Sequence, residues 1–170
     1  MKTLVIGLGN PILTDDGVGV KVAYEVDEIL NNLNHDGIDV KEASVGGLRL
    51  MEEMVGYDRV ILIDAIMKPG GGNPGTIHRM TLDDLRKISP TQHSACAHDT
   101  SLVTALEAGS IMGLHLPKNI VIFAIEVENV DEFNENPTCA VAEAIPIVTD
   151  AVLKELNFTP FNKKSDWRAV

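Results

Sequence analysis

Three short apolar runs punctuate the chain, "TLVIGL" (3–8), "RVILIDA" (59–65) and "NIVIFAI" (119–125). They are continuous rather than alternating and rich in Val and Ile, the pattern of parallel strands covered on both faces. A weaker strand is expected at "IDVKEA" (38–43), and the more alternating "GTIHRM" (75–80) is expected at a sheet edge. Between these runs the apolar residues recur at helical spacing. Val18, Val22, Val26, Ile29 and Leu30 mark a helix from Asp16 to Leu30, and Leu48, Met51 and Val55 mark another that stops at Gly56. "DTSLVTALEAGSIMG" (99–113) predicts a helix capped by Asp99 and closed at Gly113. "NPTCAVAEAIPIVTDAVLKEL" (136–156) predicts one with Asn136 as cap, Pro137 in the first turn and a bend at Pro146.

Strands alternating with helices predict an α/β fold, a three-layer α/β/α domain on a mostly parallel central sheet of about five strands. The 170 residues fit one domain spanning 1–170, with no internal repeat and a tail, 158–170, that is expected to be poorly ordered. "KPGGGNPG" (68–75) reads as a surface loop that could serve as a flap.

Composition then narrows the setting. A net charge of −11 opposes binding to nucleic-acid phosphates. No apolar run approaches the roughly 20 residues of a helical membrane span. The opening stretch reads as a first strand rather than a signal peptide, and the two cysteines, Cys96 and Cys139, have no paired spacing. Together these features predict a cytoplasmic protein with neither nucleic acid nor membrane as partner.

The candidate chemistry lies where the parallel strands end, because open α/β sheets bind ligands outside the carboxyl ends of their strands. The first strand runs into "GLGNPILTDDGVG" (7–19). Its two glycines suggest a dinucleotide turn, but position 12 is Ile and a pair of aspartates would repel a pyrophosphate. Adjacent carboxylates are better matched by a cation. Asp15 and Asp16 therefore face two readings, as donors to a metal or as caps of the following helix. Asp64 ends a buried Val/Ile run and needs a partner. Imidazole with carboxylate suits a divalent transition metal such as nickel or zinc. Of the histidines, His35 reads as a loop residue, His78 as an edge-strand residue and His115 as the residue after a helix end. His93 and His98 flank "SACA", and His98 adjoins the expected cap Asp99, which favours it as the rigidly held donor. Cys96 beside His98 leaves a thiol nucleophile as a further alternative.

"GLGNPILTDDGVG", "VILIDA" and "HDTSLVTALEAGSIMGLHLPKNIVIFAIE" together resemble the nickel–iron hydrogenase maturation proteases over residues 1 to 128. The resemblance implies a phosphorylase/hydrolase-like fold. It also implies an endopeptidase that removes the C-terminal extension of a [NiFe]-hydrogenase large-subunit precursor once nickel has been inserted. Its three metal-contacting and catalytic positions map onto Asp16, Asp64 and His98. The nickel is carried by the precursor, with zinc or cadmium able to substitute in vitro. "EVENVDEFNENPTCA" departs from the family after the last strand, which bears on substrate choice. Peptidyl-tRNA hydrolases also open with "GLGNP", but the Thr-Arg-His-Asn run that carries their histidine is absent here. A non-catalytic metal-binding module is the remaining alternative.

Overall fold

The computed structural model describes residues 1–33, 37–68, 70, 72–88 and 97–158, with Ile88 and residues 97–101 as backbone only. Of the sequence expectations, those for His35, His93, Cys96 and the tail beyond Phe158 lie outside these residues. Five strands form one sheet: β1 (Thr3–Leu8), β2 (Ile38–Ala43), β3 (Arg59–Ile66), β4 (Ile77–Thr81) and β5 (Asn119–Glu126). Their order is β2-β1-β3-β5-β4. The first four in that order run parallel, and β4 lies antiparallel at the edge beside β5. The helices are α1 (Val18–Asn32), α2 (Gly47–Met54), α3 (Leu82–Ile88), α4 (Ala97–Ile111) and α5 (Cys139–Glu155).

The continuous apolar runs are divided between two cores by the two-residue period of a strand. Val5, Ile61, Ile63, Val121, Phe123 and Ile125 face one way and pack against Val18, Val22 and Val26 of α1 and Val141, Val148 and Val152 of α5. Leu4, Ile6, Val60, Leu62, Ile120 and Ile122 face the other way, onto Leu50 and Met54 of α2, Leu85 of α3 and Leu102 and Leu106 of α4. Both sheet faces are covered, as the Val/Ile-rich runs predict.

Helix starts depart from the sequence reading, each for a local reason. α1 begins at Val18 with Gly17 in the cap position and no side-chain cap, so neither Asp15 nor Asp16 caps it. α4 already includes Ala97, a strong helix former, which places Asp99 inside the first turn rather than at its cap. α5 starts at Cys139 behind Thr138, not behind Asn136. The segment before it is engaged elsewhere: Asn134 forms a parallel bridge with Leu13. α3 went unpredicted although Thr81 and Asp84 form a reciprocal capping box, the Thr81 N–H reaching Asp84 Oδ2 at 2.9 Å and the Asp84 N–H reaching Thr81 Oγ1 at 3.3 Å.

The first crossover packs α1 tightly onto the strand ends. A Cβ on Gly19 would lie 2.3 Å from the Ile63 carbonyl oxygen and 2.4 Å from that of Leu8. Both neighbours are backbone and cannot yield as a side chain would. Gly19→Ala gains about 1 kcal/mol of helix propensity, yet overpacking against fixed atoms costs more. Urea denaturation is expected to show a net loss of about 2 kcal/mol.

Candidate active site

The order β2-β1-β3 makes the gap between β1 and β3 a switch point. The chain leaves β1 through α1 on one face of the sheet, whereas α2 and α4 lie on the other. A crevice opens there beyond the carboxyl ends of the two strands. Asp16 follows β1, and Asp64 lies two residues from the end of β3, opposite Ala124 of β5. Both side chains line a single cleft of ≈ 200 Å³, together with Gly9, Asn10, Ser44 and Val45. The structure thus brings together two of the three expected site residues. The third, His98, sits in the first turn of α4 with only its backbone described. Among the described residues no group of three or more His, Cys, Asp or Glu side chains is placed to hold a metal.

The glycine-rich turn aims Asp16. Asn10 donates its N–H to Asp16 Oδ2 at 2.6 Å, which ties the carboxylate back across its own turn instead of to α1. Gly9 has φ +121°, and a Cβ there would stand 1.9 Å from the Asp16 carbonyl oxygen, so the turn closes only with glycine. The Ser44 hydroxyl donates to the Gly9 carbonyl at 2.8 Å and joins the loop after β2 to the same wall.

Asp15, one residue earlier, does something the sequence did not disclose. It is completely buried. Its Oδ1 accepts the Thr138 N–H at 2.7 Å, and its Oδ2 accepts the Asn129 N–H and the Thr138 hydroxyl, each at 3.1 Å. Thr138 stands at the cap of α5, so the carboxylate also meets the positive end of that helix. Backbone bonds complete the seam: Asp15 N–H to Asn129 O at 3.0 Å, Thr14 N–H to Asn134 O at 2.8 Å and Asn134 N–H to Ile12 O at 3.0 Å. Thr14, left-handed at φ 38°, is held in that conformation by its hydroxyl, which donates to Glu132 O at 2.7 Å. Of the adjacent acids, Asp15 anchors the loop and Asp16 faces the cleft.

A second acid on the same rim has a comparable role. Glu126 ends β5, is 3% exposed and pairs with Lys68. It also lies 2.6 Å from His78 Nε2 and accepts the Asn73 N–H at 2.7 Å. Its main chain binds Thr76 and Gly75 at 2.9 and 2.8 Å. The second half of the glycine-rich loop after β3 is therefore clasped to the sheet. Lys68 first, then His78, hold the Glu126 carboxyl down to about 2 from an ordinary 4.5. The signal was present, since Glu126 follows a Val/Ile-rich run just as Asp64 does.

A family model described as hydrogenase maturation protease matches residues 19–155. The chain belongs to that family. The protease is 26% identical over 161 residues to the hydrogenase expression/formation protein HupD of Rhizobium leguminosarum bv. viciae, a match covering 91% of this chain and 74% of that protein. It is 26% identical over 131 residues to the hydrogenase 2 maturation protease of Escherichia coli K12, covering 77% and 76%. The solved structure of the hydrogenase maturating endopeptidase HybD from E. coli shares the fold at a TM-score of 0.74 and 23% identity, over 92% of this chain and 93% of that one. The protease is accordingly a hydrolase of the endopeptidase class, which sets aside the peptidyl-tRNA hydrolase and non-catalytic alternatives. Asp64 and His98 fall inside the matched span; Asp16 lies just before it, and its place rests on the cleft geometry.

Asp15→Asn turns an amide NH₂ toward N–H and hydroxyl donors in a buried site and is expected to cost about 2–3 kcal/mol. Asp16→Asn keeps an acceptor for Asn10 and should stay within about 1 kcal/mol of wild type. Chemical denaturation of the two variants checks this ordering. Glu126 predicts an acid transition. Because its folded pKa is depressed, the clasp is fully stabilising above the unfolded value of 4.5 and is lost as pH falls from there toward 2. The amide chemical shift of Asn73 should track that loss, and Glu126→Gln should remove the transition.

Proposed function

We propose that the protease removes the C-terminal extension from the precursor of a [NiFe]-hydrogenase large subunit and uses the nickel already placed in that precursor as its recognition signal. The observation that carries this reading is the pair Asp16 and Asp64 on one switch-point cleft in a chain of this family. The names of its relatives point the same way: one acts as a hydrogenase 2 maturation protease, another as a hydrogenase maturating endopeptidase.

Nickel enters as part of the substrate. Asp16 and Asp64 supply carboxylate oxygens and His98 an imidazole, a donor set suited to a divalent transition metal. Three protein donors leave positions for ligands from the precursor, as open rather than structural sites do. Docking on that ion holds the scissile peptide beside the two carboxylates, so that positioning supplies much of the rate. The ion can then polarise the peptide carbonyl or activate water. A protein substrate also agrees with the rim. Ile12, Leu48, Met67 and Phe133 are exposed, each on the segment that follows a different parallel strand. Zinc or cadmium in the precursor is expected to replace nickel in vitro. The reaction belongs to the cytoplasm, and no helix among the described residues is long and apolar enough to cross a membrane.

Incubation of the purified protease with nickel-loaded and nickel-free precursor tests this reading by the loss of C-terminal mass. Only the loaded precursor should be shortened. Asp16→Asn and Asp64→Asn should each lower the rate at least ~100-fold. His98→Ala should abolish processing, whereas His93→Ala should keep most of it. Equal processing without nickel, or greater damage from His93→Ala, would overturn the three-donor site.

A further inference from the structure

At the opposite end of the sheet lies a second cavity of ≈ 450 Å³, lined among others by Arg59, Arg79, Asn119, Lys154, Glu155 and Asn157. Arg59 is the first residue of β3 and Asp64 the sixth, so the two sites are roughly 16 Å apart along one strand. The charges here run against the rest of the molecule. In a chain of net charge −11, three cationic groups and a single carboxylate line the cavity among the described residues. Glu155 is shared: it pairs with Arg59 Nη2 through Oε1 and accepts from Arg79 Nε through Oε2 at 2.9 Å. Arg79 first, then Arg59, hold the Glu155 carboxyl below its usual range, so it is already committed as an anion. Lys154 has no ion-pair partner among the described residues.

Arg59 supplies the independent observation. Its side chain is only 10% exposed, and its Nε is the buried side-chain polar atom without a hydrogen-bond partner among the described residues. A buried guanidinium that shares its one carboxylate with a second arginine is under-compensated. That Nε is shut off from solvent, so an anion in the adjoining depression would act on the guanidinium through its field rather than by contact with Nε, and would still lower that cost.

We propose that this cavity binds a phosphate group. The surplus of two positive charges matches a phosphate dianion. The remaining donors, from Arg79, Lys154, Asn119 and Asn157, approach from several elements, as a tetrahedral oxyanion requires and a planar carboxylate does not. The depression is open to solvent, so a phosphate carried on a small molecule can enter it as readily as the free ion.

Isothermal calorimetry and thermal unfolding with inorganic phosphate, AMP and sodium chloride at matched ionic strength test the proposal. Saturable binding of phosphate or AMP with Kd of about 1 mM or tighter is expected, with a rise in Tm of several degrees that chloride does not reproduce. AMP binding more tightly than phosphate assigns the site to a phosphorylated small molecule, and equal affinities assign it to the free ion. Arg79→Gln and Lys154→Gln, both at exposed positions that leave the Arg59–Glu155 pair in place, should each weaken binding at least ~10-fold while circular dichroism stays unchanged. A Tm shift equal to that in chloride, or full affinity in both folded variants, would overturn the site.

Discussion

The buried carboxylate of Asp15 sets the geometry on which the cleft depends. A charge taken wholly out of water is costly unless hydrogen bonds replace its hydration. Here the Asn129 and Thr138 amides and the Thr138 hydroxyl do so, at the positive end of α5. Among the described residues no cation pairs with it. The donors belong to the connection between β5 and α5, while the acceptor belongs to the turn between β1 and α1. The two loops are therefore held as one body, and Asp16, which lines the cleft, inherits a fixed backbone from its neighbour. A flexible turn could carry the same acid without aiming it.

The molecule has two chemically distinct ends. At the carboxyl rim, carboxylates gather: Asp16 and Asp64 in the cleft, and Glu126 clasping the loop that follows β3. In the depression at the amino end of β3 and β5, Arg59, Arg79 and Lys154 outnumber Glu155 among the described residues. The sheet separates these groups by roughly 16 Å along β3, beyond the Debye length at physiological salt, so their fields are largely screened from one another. The low identity to its relatives, about a quarter of aligned positions, coexists with a shared fold because apolar patterning specifies the layers while many side chains can fill them.

Asp64 and Glu126 show how far a linear reading reaches. Asp64 lies two residues before the end of β3 and Glu126 closes β5, and each follows a Val/Ile-rich run on which an acid needs a partner. One opens onto the cleft, and the other is bound by Lys68, His78 and the Asn73 amide. The apolar runs before the two acids look alike in the sequence. The difference arises because β4 doubles back beside β5 and brings His78 and its preceding loop against Glu126, whereas β3 ends at the switch point where neighbouring connections diverge. The adjacent pair Asp15 and Asp16 repeats the lesson over a single peptide bond.

The sequence by itself determined the layers, the strands and the family. The strand limits at 3–8 coincide with an apolar run, because burial of both faces leaves a continuous mark that needs no knowledge of distant neighbours, and even the half-exposed β2 keeps its expected limits at 38–43. The motif in the first turn, the acid closing β3 and the histidine at the start of α4 were legible as residue types at characteristic positions. Tertiary structure alone decided where helices begin and which acids serve the cleft. The buried carboxylate of Asp15 is completed by Thr138, 123 residues away, and that of Glu126 by Asn73, 53 residues away, and such pairings exist only once the chain has folded.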